Sequence, residues 1–321
     1  MSQQILDANM LATVPKLTFL VGKGGVGRTT LCASLGLAAS RRRLRTLVVE
    51  VSERQSIPEM FKVQAMGYQP VQLGENLWTC RVTWEDAIKE YGLMKLRFKA
   101  AYRLVFENPF MRRLLPAVPG VAEIVAIGKI IHLATDGVAG LGQFDTVIVD
   151  SPATGHGISL VAAPSVVVQT VPAGPMAEDA KRLLDLLKDP AFSRFQIVSI
   201  PEEMPISETL ELYDSLAVNL GLPLGQIFMN QVYRYGLDSR QAEALSALSG
   251  VNKTPGVCSA IYASKFMTLK SDFQRDLIVK LARKVPLPII ELSDVRSERD
   301  AFTRIDLLSR QLDARVWREE R

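Results

Sequence analysis

One short stretch constrains this chain more than any other: Gly22-Lys23-Gly24-Gly25-Val26-Gly27-Arg28-Thr29-Thr30, set between the apolar run 17–21 and the helical pattern 31–39. A strand that dissolves into glycines and restarts as a helix makes a tight turn. Glycine lets the backbone take left-handed conformations, so successive N–H groups and the helix N-terminus can face one point. The spacing G-x-x-x-x-G-[K/R]-[S/T] suits a phosphate at that point. Gly24, Gly25, Val26, Gly27, Arg28, Thr29 and Thr30 are therefore candidate phosphate contacts, and the Thr29 hydroxyl is a candidate Mg²⁺ ligand. The competing reading, a merely flexible glycine turn, is disfavoured by the position between strand and helix.

Short apolar runs rich in β-branched residues recur at 17–21, 46–50, 77–82, 146–150, 166–171, 196–200, 226–230 and 288–291, with longer helical stretches between them. This alternation predicts an α/β fold with a mostly parallel central sheet flanked by helices on both faces. Residues 84–137 break the rhythm with helical signals only: Met94, Phe98, Ala101, Tyr102 and Val105 fall three and four apart, and Val121, Ile124, Val125, Gly128 and Ile131 resume the stripe after Pro116, Pro119 and Gly120. The expected organisation is one domain over 1–321 with a helical subdomain inserted at about 84–137.

The run 144–150 is a second apolar strand, and it ends on Asp150, followed by the turn Ser151-Pro152-Ala153-Thr154-Gly155-His156. Open α/β sheets bind ligands at the carboxyl ends of their strands, so Asp150 is the first candidate to hold Mg²⁺ opposite Thr29. A turn or cap residue is the plainer reading of it. Arg28 stands where a lysine ordinarily reaches the β- and γ-phosphates; it keeps the charge, but a planar guanidinium is no simple replacement in a tight loop. Lys23 alone reads as a solvated charge.

Together, GKGGVGRTT and DSPATGHG resemble the ArsA-like ATPases, which include the arsenite-pump ATPase and the ATPase that targets tail-anchored membrane proteins. Fainter echoes are Pro119-Gly120 with Glu123, Gly174-Pro175-Met176, Pro201-Glu202-Glu203 and Met229-Asn230-Gln231. The resemblance covers roughly residues 16 to 291. It implies a P-loop NTPase of the SIMIBI class that binds ATP and Mg²⁺. Its deviant Walker A loop would send Lys23 across a dimer interface to the partner's phosphates. Lys23, Arg28 and Asp150 would be the catalytic set, Asp150 with Thr154, Gly155 and His156 would form switch II, and Asn230 would read adenine, as an amide with both a donor and an acceptor can. A turn amide bonded to its own backbone is the alternative for Asn230.

The likeness fails at switch I. The family's pattern there is approximately D-P-A-H-S, whereas this chain has Val51-Ser52-Glu53-Arg54-Gln55-Ser56 after Glu50. Ser52 falls at the aspartate's place and cannot accept a proton at neutral pH; Glu50 or Glu53 could substitute only with altered geometry. The expectation is an ATP-hydrolysing dimer that couples nucleotide state to a client, such as a hydrophobic helix lying in the insertion; the plainer reading of the insertion's Met, Leu, Phe and Ile residues is that they fill its own core. The alternative is a hydrolysis-impaired subunit of a heterodimer with an ArsA-like paralogue. A septum-positioning or plasmid-partition ATPase is a third reading.

Composition narrows the partners. A net charge of +4 from 38 basic and 34 acidic residues argues for no nucleic acid. The C-terminal stretch 304–321 lacks the basic, bulky-apolar stripe of a membrane-surface helix, so membrane association is at most indirect. No apolar run reaches the ~20 residues of a span, and residues 1–15 do not read as a secretory signal, so a cytoplasmic location is expected. Cys32, Cys80 and Cys258 stand too far apart to suggest a zinc site, and arsenite-binding thiolates would have to converge from separate elements.

Overall fold

The computed structural model describes residues 14–52, 54–95, 120–234, 239–248 and 255–316. Strand β1 (Leu17–Gly22) leads through the glycine loop into α1 (Arg28–Arg41). Then come β2 (Thr46–Glu50), the short α2 (Ile57–Met60), β3 (Val71–Gly74) and β4 (Leu77–Arg81). Among the described residues, α3 (Trp84–Lys95) and α4 (Val121–Thr135) follow, before β5 (Thr146–Asp150), α5 (Thr154–Thr170), α6 (Pro175–Lys188) and β6 (Ser193–Ser199). The remainder is α7 (Glu203–Tyr213), a π-helical turn (Asp214–Asn219), β7 (Leu224–Val232), α8 (Ser239–Leu248), α9 (Pro255–Lys284), β8 (Ile289–Ser293) and α10 (Ala301–Val316).

The strands form one eight-stranded sheet in the order β3-β4-β2-β5-β1-β6-β7-β8. All pairings are parallel except the β3–β4 hairpin at the edge. β1 lies near the middle, between β5 and β6. The chain leaves β1 toward β2 on one side and leaves β5 toward β6 on the other, so the ends of β1 and β5 open onto the crevice where such sheets take ligands.

The central strands are buried on both faces, as their continuous apolar runs require. Phe19, Val149, Phe195 and Ile197 pack with Ile127, Ile130, Leu160 and Leu187 on the face covered by α4, α5 and α6. Leu20, Ile148, Val198 and Phe228 point the other way, against Leu31 and Leu35 of α1 and Ile305, Leu308 and Leu312 of α10. The Phe19 and Phe195 rings stack at 4.8 Å, which helps fix the register of β1 on β6. Ion pairs from Arg41 to Asp306 and from Arg42 to Asp313 join α1 to α10.

Two expectations about elements need correction. Residues 166–170 form the last turns of α5 rather than a strand. Their β-branched run was misleading because Val167 packs into the core while Val166 and Val168 face outward, and the tertiary setting overrides the local preference. The β3 strand, four residues long and half exposed, gave no apolar signal. The helical signals on either side of 96–119 are present as α3 and α4, whereas Phe98, Ala101, Tyr102, Val105, Met111, Pro116 and Pro119 lie outside the described residues, as does Glu53. No described helix is long and apolar enough to cross a membrane.

Candidate functional site

The glycine loop joins β1 to α1 in the form its sequence demands. Gly25 has φ +84° and Gly27 φ +89°, both in the left-handed region that side chains disfavour. A Cβ on Gly22 would stand 2.4 Å from the Val198 carbonyl oxygen, so the loop leaves the sheet in close contact with β6. By contrast, a Cβ on Gly24 or Gly25 would meet no heavy atom within 4 Å. That side of the loop faces open space. Gly27 caps α1 without a side-chain hydrogen bond, and no acidic residue lies in the first turn, so nothing local competes for the first amides. Val26 is buried beneath the loop, and the carbonyl of Thr30 accepts from Ser34 Oγ at 2.7 Å.

Asn230 stands directly under this loop. Its Nδ2 donates to the Val26 carbonyl at 2.9 Å, and a Cβ on Gly27 would come within 2.5 Å of that nitrogen. It arrives there from the end of β7, where Gln231 takes φ +58° and the pairing with β8 slips between Met229 and Val232. The donor half of the amide thus supports the loop. The turn-amide alternative, an amide bonded to its own neighbours, is not what this geometry shows.

Thr29 and Asp150 come together across the crevice: the Thr29 hydroxyl donates to Asp150 Oδ2 at 2.5 Å. Asp150 Oδ1 is buried and has no hydrogen-bond donor, and the neighbouring Ser151 Oγ is likewise buried without a partner. Burial holds the Asp150 carboxyl above its ordinary range, against the opposing pull of the Thr29 hydroxyl and the Arg28 guanidinium. The Thr29 hydroxyl and the unpartnered Asp150 Oδ1 are the hard oxygen donors that Mg²⁺ prefers, so these two residues fit that ion.

Arg28 turns inward. Its Nη1 donates to the Gly22 carbonyl at 2.6 Å and to the Pro152 carbonyl at 2.7 Å, bridging the start of the loop to the turn after β5. Its Nε lies 3.8 Å from Asp150 Oδ1, an ion pair without a hydrogen bond. Lys23, on the other rim, pairs with Glu208 Oε1 of α7 at 2.7 Å. Thr154, Gly155 and His156 make up the first turn of α5.

At switch I, the Glu50 carboxylate is committed elsewhere. Oε1 accepts from Ser56 N at 2.7 Å, from Ser56 Oγ at 3.0 Å and from Ile57 N at 3.2 Å, so it caps α2. Burial raises its pKa, the α2 donors lower it, and the nearby Asp150 adds a smaller upward push. The two residues are partners in the β2–β5 register. The Ser52 hydroxyl donates to the Arg54 carbonyl at 2.6 Å.

Comparison with known proteins fits this geometry. Residues 15–173, from β1 through α5, match the model of the anion-transporting ATPase family. Over that stretch the chain is similar to the ArsA-like ATPases. It is 27% identical over 225 residues to the ATPase BagA of Mycobacterium tuberculosis, across 67% of this chain and 65% of that protein. It is 27% identical over 259 residues to an ATPase ASNA1 homolog of Entamoeba dispar, covering 68% and 76%. With the arsenical pump-driving ATPase of Escherichia coli it shares 25% identity over 252 residues, covering 73% of this chain and 42% of that one. The match thus spans just under two thirds of the length of the mycobacterial relative. Within the ArsA-like frame, the α/β architecture with its largely parallel sheet is as the resemblance implied.

Sequence reading missed two participants. Glu208 sits mid-helix among other acidic residues, where a carboxylate reads as a solvated face. The Pro152 carbonyl is a backbone group and carries no side-chain signal.

Proposed function

We propose that this chain binds ATP with Mg²⁺ in the glycine loop and works as a dimeric ATPase that couples its nucleotide state to a client. The observation that carries this reading is the Thr29–Asp150 contact with its unsatisfied carboxylate oxygen, at the foot of a loop whose Gly25 and Gly27 take left-handed conformations. In this arrangement the amides of Gly24 through Thr30 hold the phosphates, Thr29 and Asp150 hold the metal, and Asn230 keeps the loop in shape and offers its oxygen to the base. When bound, Mg²⁺ neutralises charge on the β- and γ-phosphates. The client is a hydrophobic helix or a transport-related membrane protein, and the pairing is with a second copy or a paralogue.

A second reading has its own support: a subunit that binds nucleotide but turns it over slowly, within a heterodimer. Glu50, the described carboxylate that ends β2, is occupied as a helix cap, Ser52 offers no base, and Arg28 is tied to two carbonyls of its own chain. Calorimetric titration with ATP, with and without Mg²⁺, tests the shared premise. Phosphate release by wild type beside Arg28→Lys separates the readings: turnover without rescue favours the ATPase, and binding without turnover, partly restored by lysine, favours the subunit. Absence of ATP binding refutes both.

A further inference from the structure

Lys23 is half exposed, whereas the carboxylate it meets is not: its ammonium lies 2.7 Å from Glu208 Oε1, with side-chain exposures of 42% and 19%. Glu208 is the better-anchored member. The next residue, Thr209, donates its hydroxyl to Ser199 Oγ at 2.8 Å and to the Pro205 carbonyl at 2.7 Å, fastening α7 to the end of β6. β6 in turn pairs with β1 along its whole length, and the Gly22–Val198 contact allows no slack at that seam. The carboxylate is thus held beside the loop by the sheet itself, at a position outside the motifs quoted above. One helical turn earlier, on the same face of α7, Met204 is 71% exposed, so the surface around the pair carries an uncovered apolar side chain.

We propose that Glu208 is a positioning residue that retains Lys23 in its own protomer and so sets the nucleotide concentration at which two copies of this chain pair. The inference rests on the proposed dimer and on the family resemblance, which implies that Lys23 reaches the phosphates of a second copy. An ammonium is a compact point charge on a flexible stem, and contact with an anion across an interface requires leaving the one it already holds. While Glu208 keeps the ammonium, its charge is neutralised where the partner's phosphates would meet it. Nucleotide-dependent pairing then breaks this contact twice, once per protomer of a two-fold dimer. Pairs this exposed shift an equilibrium by about 1.5- to 5-fold each, so removing Glu208 tightens the dimer by about 2- to 30-fold.

The test uses the full chain as wild type, Glu208→Gln, Lys23→Ala and the double variant. Dimerisation is measured by sedimentation equilibrium with a non-hydrolysable ATP analogue and Mg²⁺, and analogue binding is measured separately below the dimerisation range; thermal melts verify folding. The expected result is a dimer dissociation constant lowered within the stated range by Glu208→Gln, unchanged monomer affinity, and no effect of Glu208→Gln in the Lys23→Ala background. A wild type that dimerises, a Lys23→Ala variant that does not, and a folded Glu208→Gln variant equal to wild type would overturn the role of Glu208 alone. The same holds if the Glu208→Gln effect persists without Lys23. If the analogue binds but no form dimerises, the dimeric reading and this inference fall together.

Discussion

Gly27 and Asn230 make a buried contact whose energetics can be worked out in advance. Gly27→Ala places a methyl 2.5 Å from Asn230 Nδ2 at a residue with φ +89°. The left-handed conformation costs a non-glycine residue about 1–2 kcal/mol. The methyl also displaces the Asn230 amide, which breaks the 2.9 Å bond to the Val26 carbonyl; a buried hydrogen bond lost with one group left unsatisfied costs about 1–3 kcal/mol. Gly27→Ala should therefore destabilise the nucleotide-free protein by about 2–5 kcal/mol, and Asn230→Ala by about 1–3 kcal/mol. In the double variant the collision is absent and the bond is lost only once, so the combined cost should fall short of the sum by about 1–3 kcal/mol. Urea titrations of the four proteins measure this. Additivity within about 0.5 kcal/mol would refute the claim that Asn230 supports the loop through the space Gly27 leaves open.

The remaining predictions concern the two strand-end carboxylates. Burial raises the folded-state pKa of Asp150, so the folded protein binds that proton more tightly than the unfolded chain, and stability falls as pH rises from about 3.9 through the folded value. Asp150→Asn should remove this decline, and a wild-type-minus-variant stability difference that is constant with pH from 4 upward would contradict the assignment. Glu50→Ala should destabilise by about 1–3 kcal/mol, because the amides of Ser56 and Ile57 lose the acceptor that caps α2. An unchanged urea midpoint would mean Glu50 is not committed to capping α2.

How much of this was legible in the sequence depended on whether backbone or side chain decided the matter. The glycine loop could be read because only glycine fills the left-handed positions at Gly25 and Gly27, so residue type reported conformation directly. The parallel sheet was legible because strands covered on both faces are continuously apolar. The run 166–170 defeated the same rule, since burial of Val167 alone on a helix looks identical in one dimension to a strand. Asp150 was placed by its position at a strand end. Its partner Thr29, 121 residues away, was inferred only through the chemistry of the ion they would share. Glu208 and Pro152 were invisible because their roles come from the approach of α7 and of the β5–α5 turn to the loop, and no local pattern encodes either approach.

The phosphate cradle is built from main-chain amides and glycine conformations, and replacing lysine by arginine leaves all of these in place. The Arg28 guanidinium, however, is held by the carbonyls of Gly22 and Pro152 at 2.6 and 2.7 Å, one on the loop and one on the turn that follows Asp150. For Arg28 to approach a γ-phosphate it must release both, and the turn after β5 is then untethered from the loop. A lysine in its place has one point charge and cannot bridge the two carbonyls with the same fixed planar geometry. Arginine at this position therefore ties the start of the glycine loop to the turn after β5, and on the proposed function it links phosphate contact to movement of that turn. On the proposed function, nucleotide affinity and turnover respond differently to Arg28→Lys: the amide cradle keeps binding nearly intact, and the loss of the bridge is felt at the turn beside Asp150.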